Sequence, residues 1–299
     1  VVASTYWFAA QALTAAFGIQ AIADALSGSR PPLVPTAIAI AVGQAAVAVL
    51  GFDVMRWLLR LVLPLSVGSA LVLVGLWLAA DEPGYDVGRV LDAPEQELTW
   101  VGFATVVTVM CGSSLTLVTN ISDLCRYTRS RRDLRLGLVA STLAATAVTT
   151  LVGAVFAAGG GEANPFVAAS ALTSSQLVLC LLLVAVVVQT FAANLTNVYT
   201  AGLSLVSSVP ALGRLRATIL AGAAAVCLSA FPSLIEEAQD WITHLGNLAA
   251  PITGVVLADY LGRHRGRLDV GALYASPEGR RLGERIDLGA LVAVAAGTV

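Results

Sequence analysis

Lysine is absent: all 17 basic residues are arginine, and only two histidines accompany them. Charge of either sign is scarce, at 12% of the 299 residues, whereas soluble domains carry roughly 25%. The formal net charge is −2, so the basic excess of a nucleic-acid-binding chain is missing. Cysteine is limited to Cys111, Cys125, Cys180 and Cys227. They form no CxxC pair and no cluster with the histidines, which argues against a disulfide framework or a metal site. Each reads as a small buried hydrophobe. What is present is apolar: 57% of the residues are hydrophobic, and the mean hydropathy is +0.83. This balance excludes an ordinary cytosolic enzyme and a disordered tail, and points to a polytopic membrane protein.

Apolar segments fall at 1–27, 33–50, 57–80, 99–121, 134–158, 175–206, 215–231, 242–261 and 286–299. Most approach the roughly 20 residues a helix needs to cross about 30 Å of hydrocarbon. The runs are continuous and do not alternate, which disfavours barrel strands. The reading is all-α: one transmembrane domain over 1–299, with eight complete or nearly complete helices and a truncated ninth. Both ends lie inside apolar runs, and the opening residues show no charged stretch followed by a small-residue cleavage site, so they are not read as a signal peptide. The chain therefore reads as an internal piece of a longer protein.

The connecting segments alternate in charge. One set holds Arg56 and Arg60, the group Arg126 to Arg135, Arg214 and Arg216, and the group Arg263 to Arg285; together these are 15 of the 17 arginines. The other set holds only Arg30 and Arg89, with acids such as Asp81, Glu95, Glu162 and Glu236. By the positive-inside rule the arginine-rich loops are cytoplasmic in a cell membrane, and the first helix runs outward. An anionic-lipid or partner site in these loops is the other reading; topology alone accounts for them.

Polar groups inside lipid are costly, so they mark where function resides. Trp7 and Gln11 lie four apart on one helical face. An indole stacks on a flat ring and a carboxamide reads its edge; a helix–helix contact explains the pair equally well. Gly112-Ser113-Ser114 suits a locally unwound helix facing a cavity, or hydroxyls bonding back to their own helix. Gln189, Asn194 and Asn197 put three carboxamides within nine residues of an apolar run, and a binding cavity is favoured over interhelical bonding. Asp123 with Arg126, and Asp259, sit at helix ends and read as structural charges. His244 is a candidate proton carrier, with a structural role preferred.

Taken in order, these residues resemble the nucleobase:cation symporter-1 family of purine, cytosine, uracil, allantoin and hydantoin permeases. Trp7 to Gln11 is similar to the family's third transmembrane helix, and Asn120-Ile121-Ser122-Asp123-Leu124-Cys125-Arg126-Tyr127 to the end of its sixth. Asn194 to Leu203 resembles the eighth helix of the purine-cytosine branch. Pro251 to Tyr260 resembles the end of the tenth, and Arg267-Leu268-Asp269-Val270 with Leu273-Tyr274 the loop that follows. The resemblance implies a five-plus-five inverted-repeat (LeuT-like) fold, with the first two and the last helices outside this chain.

It also implies a midplane substrate site. Trp7 would stack on a nucleobase and Gln11 would read its edge. Asn194 and Asn197 would contact the substrate, with Gln189 on the same wall and Ser113 and Ser114 in the helix-six region. Many relatives carry an aromatic at the position of Ser114. Sodium-coupled relatives carry a hydroxyl pair where this chain has Ala192-Ala193, so the implied coupling ion is the proton ahead of sodium, with no other cofactor and no metal. The expected activity is import of cytosine or a purine by alternating access. A related ring (allantoin, hydantoin or a thiamine-precursor pyrimidine) with sodium coupling is the alternative, and an intramembrane serine enzyme using Ser114 and His244 is a remote one. The partners expected are a small nucleobase and the lipid bilayer, with no nucleic acid and no obligate protein.

Overall fold

The computed structural model describes residues 1–81, 83–85, 99–118, 121, 125, 128–162, 164–267 and 287–298. Every regular element among them is helical. In chain order these are α1 (Val2–Ser27), α2 (Leu33–Leu50), α3 (Phe52–Leu78), α4 (Trp100–Val118), α5 (Arg131–Gly160), α6 (Pro165–Ala171), α7 (Gln176–Ser208), α8 (Gly213–Leu228), α9 (Ser233–Glu236), α10 (Ala238–Ala258) and α11 (Leu288–Gly297). Among the described residues seven helical stretches are long and apolar enough to cross a membrane, and Trp100–Ser114 and Leu288–Gly297 are shorter apolar pieces. Several sequence features fall largely outside the described residues: the acids from Glu82 to Glu97 with Arg89, the motif Asn120 to Tyr127 with Asp123 and Arg126, and the loop from Leu268 to Arg285.

Helix ends follow local chemistry. α3, α5 and α10 begin three to five residues before their apolar runs, each with an acid in the first turn: Asp53, Asp133 and Asp240. An acid there meets the positive end of the helix dipole. The Ser130 side chain caps α5 by accepting from the Asp133 N–H at 3.0 Å. α1 stops at Gly28, whose φ of 65° is left-handed and whose N–H returns to the Asp24 carbonyl. α6 is opened by Asn164 as cap and Pro165 in the first turn. Asn164 Nδ2 also donates to the Thr14 carbonyl of α1 at 3.0 Å, which ties this short helix to the longer one.

The described helices fall into two units. The first comprises Val1–Glu97 and Tyr127–Glu236. Within it α1, α2, α7 and α8 form a mutually packed block, joined by α3, α5 and α6. The core collects Ile22, Leu73, Phe156, Ala169, Leu182 and Val186. Tyr85 closes one side edge-on to Phe156, at 5.9 Å between ring centres. Small residues let the helices approach, as lipid-embedded packing requires: a Cβ on Gly202 of α7 would meet Thr218 Oγ1 of α8 at 2.6 Å.

The second unit comprises Leu98–Arg126 and Glu237–Val299. Here α4 crosses α10 backbone to backbone. A Cβ on Gly112 would lie 2.8 Å from the Ile242 carbonyl, and one on Gly246 would lie 2.7 Å from Gly112 Cα. α10 continues through Pro251 and runs into a π-helical turn, Asp259–Arg263. Arg263 reaches Asp259 at 3.5 Å and Asp287, at the start of α11, at 3.3 Å. His264 lies 3.4 Å from Asp259. The cysteines correct an expectation of burial: Cys111, Cys180 and Cys227 are exposed and Cys125 is half-buried, and none of the four is in a disulfide. A thiol is apolar enough to face hydrocarbon.

Candidate functional site

The structure joins Gln11, Asn194 and Asn197 in one chain of carboxamides within the first unit. Asn194, on α7, is completely buried. Its Nδ2 donates to the Phe8 carbonyl of α1 at 3.0 Å and to Oε1 of Gln44 on α2 at 2.7 Å. Asn197, one turn on, donates through Nδ2 to Asn194 Oδ1 at 3.2 Å and to Gln11 Oε1 at 3.4 Å. Gln44, also completely buried, donates through Nε2 to Thr190 Oγ1 at 3.5 Å. Thr190 in turn donates to the Val186 carbonyl at 2.7 Å. Three helices are thus linked at one level by side-chain amides.

This chain has a direction. A backbone carbonyl only accepts, so the Phe8 carbonyl must face the nitrogen of Asn194. Asn194 Oδ1 then faces Asn197, whose nitrogen spends both hydrogens on Asn194 and Gln11. Gln11 is left with its Nε2 donor and Asn197 with its Oδ1 acceptor. Among the described residues neither atom has a partner, and both residues are half-buried. The chain therefore ends in an adjacent donor and acceptor. Asn194 itself, predicted as a contact, has both N–H groups committed inside the protein and supports the pair behind it.

The other predicted residues are placed differently. Trp7 is half-buried one turn before Gln11, with its ring edge-on to Tyr6 at 5.5 Å between centres. The Tyr6 hydroxyl donates to the Leu234 carbonyl at 3.4 Å, which anchors that ring. Gln189 takes no part in the chain of amides: its Nε2 donates to the Ser69 hydroxyl of α3, at the edge of a groove of about 180 Å³ between α3 and α7. Ser113 and Ser114 belong to the second unit. The Ser113 hydroxyl donates back to the Met110 carbonyl at 2.9 Å, and Ser114 is exposed and makes no hydrogen bond with His244 among the described residues. Gln44 was missed by sequence reasoning. Its only signal was a lone carboxamide within the apolar run of α2.

No titratable side chain forms part of the amide chain, so its hydrogen bonds do not depend on a protonation state. Ala192 and Ala193 precede Asn194 on α7 and bring no side-chain oxygen for a hard cation. Among the described residues no three His, Cys, Asp or Glu side chains gather to hold a metal.

Among the described residues seven apolar helices are long enough to cross a membrane, and the chain of neutral amides is buried among those of the first unit, an arrangement that suits a multi-pass membrane permease for a small solute. The chain belongs to the family of permeases for cytosine/purines, uracil, thiamine and allantoin, whose model matches residues 1–299. No curated protein and no solved structure matches it.

Proposed function

We propose that the protein imports a nucleobase such as cytosine or a purine across the cytoplasmic membrane, as a symporter of the purine-cytosine branch working by alternating access. The observation that carries this reading is the unpartnered pair formed by Gln11 Nε2 and Asn197 Oδ1. A donor beside an acceptor complements the amide or amidine edge of a neutral heterocycle, and neither atom carries a charge that would demand a charged solute. Trp7, one turn from Gln11, offers an indole for stacking on the ring. Ser113 and Ser114 are assigned to the site by family resemblance alone. The bare Ala192-Ala193 step favours a proton as the coupling ion, and the 15 arginines of one loop set favour their placement in the cytoplasm. The same donor–acceptor pair also fits the lactam edges of uracil and allantoin, two substrates of the family, so a related heterocycle with sodium coupling is the second reading.

The test is uptake of radiolabelled cytosine, adenine, hypoxanthine, uracil and allantoin by the whole carrier in permease-deficient cells. It is run with and without sodium and a protonophore. Saturable uptake of one base that survives sodium removal and collapses with the protonophore is the expected result. Uptake that requires sodium overturns the proton assignment. No uptake of any ring, with the protein present in the membrane, overturns the substrate assignment.

A further inference from the structure

We infer that Gln44, on α2, is a positioning residue for the substrate-reading pair, acting through Asn194; this rests on the nucleobase reading above. A carboxamide fully buried in an apolar helix is costly unless its groups are used, and Gln44 uses both ends. Its Oε1 takes the shortest contact of the amide chain, 2.7 Å from Asn194 Nδ2, and its Nε2 reaches Thr190 Oγ1. Thr190 and Asn194 are four apart and share one face of α7. Gln44 therefore grips α7 at two points one turn apart.

The division of labour follows from the acceptors. The Phe8 carbonyl decides which way the Asn194 amide faces. With that bond alone, the amide plane keeps its freedom to rock about it. The second acceptor, Gln44 Oε1, fixes the plane. Asn197 hangs from Asn194 Oδ1, and Gln11 from Asn197, so looseness at Asn194 passes directly to the two groups that meet the substrate. Gln44 itself makes no hydrogen bond to Gln11 or Asn197 among the described residues. Its effect is preorganisation: without it, binding must bear the cost of ordering the pair.

The experiment compares equilibrium binding of the transported radiolabelled base to membranes holding the whole carrier, as wild type, Gln44→Met, Gln44→Glu, Gln11→Leu and Asn197→Leu. Gln44→Met keeps the volume and removes both bonds. It is expected to weaken binding about tenfold, the scale of one net hydrogen bond. It also reduces the preference for the base over an analogue methylated on its hydrogen-bonding edge, and leaves the maximal transport rate within about twofold. Gln44→Glu retains an oxygen to accept from Asn194 Nδ2, and returns binding to within about threefold of wild type.

Unchanged affinity and preference in Gln44→Met, with Gln11→Leu and Asn197→Leu impaired, overturns the positioning role and leaves the nucleobase reading standing. A fall in maximal rate with preference intact also overturns it, because that is the mark of a structural residue. Unchanged binding in Gln11→Leu and Asn197→Leu overturns the site, and with it the role of Gln44. If Gln44→Met does not accumulate in the membrane, Thr190→Val frees the far end of Gln44 with little change in volume. The expected loss is then about threefold in the same direction, and an unchanged preference overturns the proposal.

Discussion

The two units hold their helices together by different means. In the first, α1, α2 and α7 meet through side-chain amides, and Asn194 and Gln44 are fully buried with their hydrogen bonds satisfied. In the second, α4 and α10 meet through bare backbone at Gly112 and Gly246, and the polar contacts gather outside the apolar core, around Arg263. An amide chain is directional and leaves unused groups where it ends. A glycine crossing is close and apolar and leaves none. On the proposed reading, recognition of a polar ring belongs with the first arrangement, while the second depends on shape.

The comparison is sharpened most by overfilling the crossing. Gly246→Val places its Cβ against Gly112 Cα, which as backbone has nowhere to retreat. The expected loss is about 3 kcal/mol, the upper part of the overpacking range, read as a lower thermal midpoint of the detergent-solubilised protein. Gly202→Val in the first unit also meets a close neighbour, but part of it is the hydroxyl of Thr218. Its loss is expected to be about half as large. Equal losses would show that the crossing in the second unit is no tighter than helix packing in the first.

Next in size is Asn194→Leu. The substitution leaves the Phe8 carbonyl, Gln44 Oε1 and one Asn197 N–H without their partner. Each stranded group costs on the order of 1 kcal/mol or more, so a loss of about 2 kcal/mol is expected after relaxation. The same thermal midpoint measures it. A neutral result would mean that the amides contribute nothing to holding α1, α2 and α7 together, and the contrast between the units would fail.

Much of this architecture is legible in the sequence. Continuous apolar runs with embedded small residues allow only lipid-embedded helices, because nothing else satisfies the backbone there. Gln11, Asn194 and Asn197 stand out for the same reason, as carboxamides where side-chain polarity is costly. Gln44 does not stand out, because it is a lone carboxamide in the apolar run of α2 and its partners lie on α7. Gln189 is the third carboxamide of the run, five residues before Asn194. The five-residue step turns it aside, and Ser69 of α3 takes its hydrogen bond. α6 is too short to register as an apolar run, although Asn164-Pro165 is a helix-start signal. The Gly112–Gly246 crossing was not readable at all, since glycine says that something approaches closely but not what approaches.

The smallest expected effect tests whether the polar rim of the second unit contributes to it. The Asp287 carboxyl is held below its ordinary value of 3.8, chiefly because the Ala290 N–H donates to it, with Arg263 adding a hydrogen bond and opposite charge. A carboxylate favoured by folding contributes stability at pH values above its unfolded value. That contribution is lost as the pH falls through the lower, folded value. Asp287→Asn keeps an oxygen to cap α11 but has no charge for Arg263. Above about pH 5 the wild type is therefore expected to have the slightly higher thermal midpoint. The difference between the two proteins should shrink towards zero as the pH drops below 3.8, while the other titrating groups, common to both, cancel. High salt should shrink it too, because the pair is exposed. A difference that is flat across this range would place α11 outside the influence of the charges around Arg263.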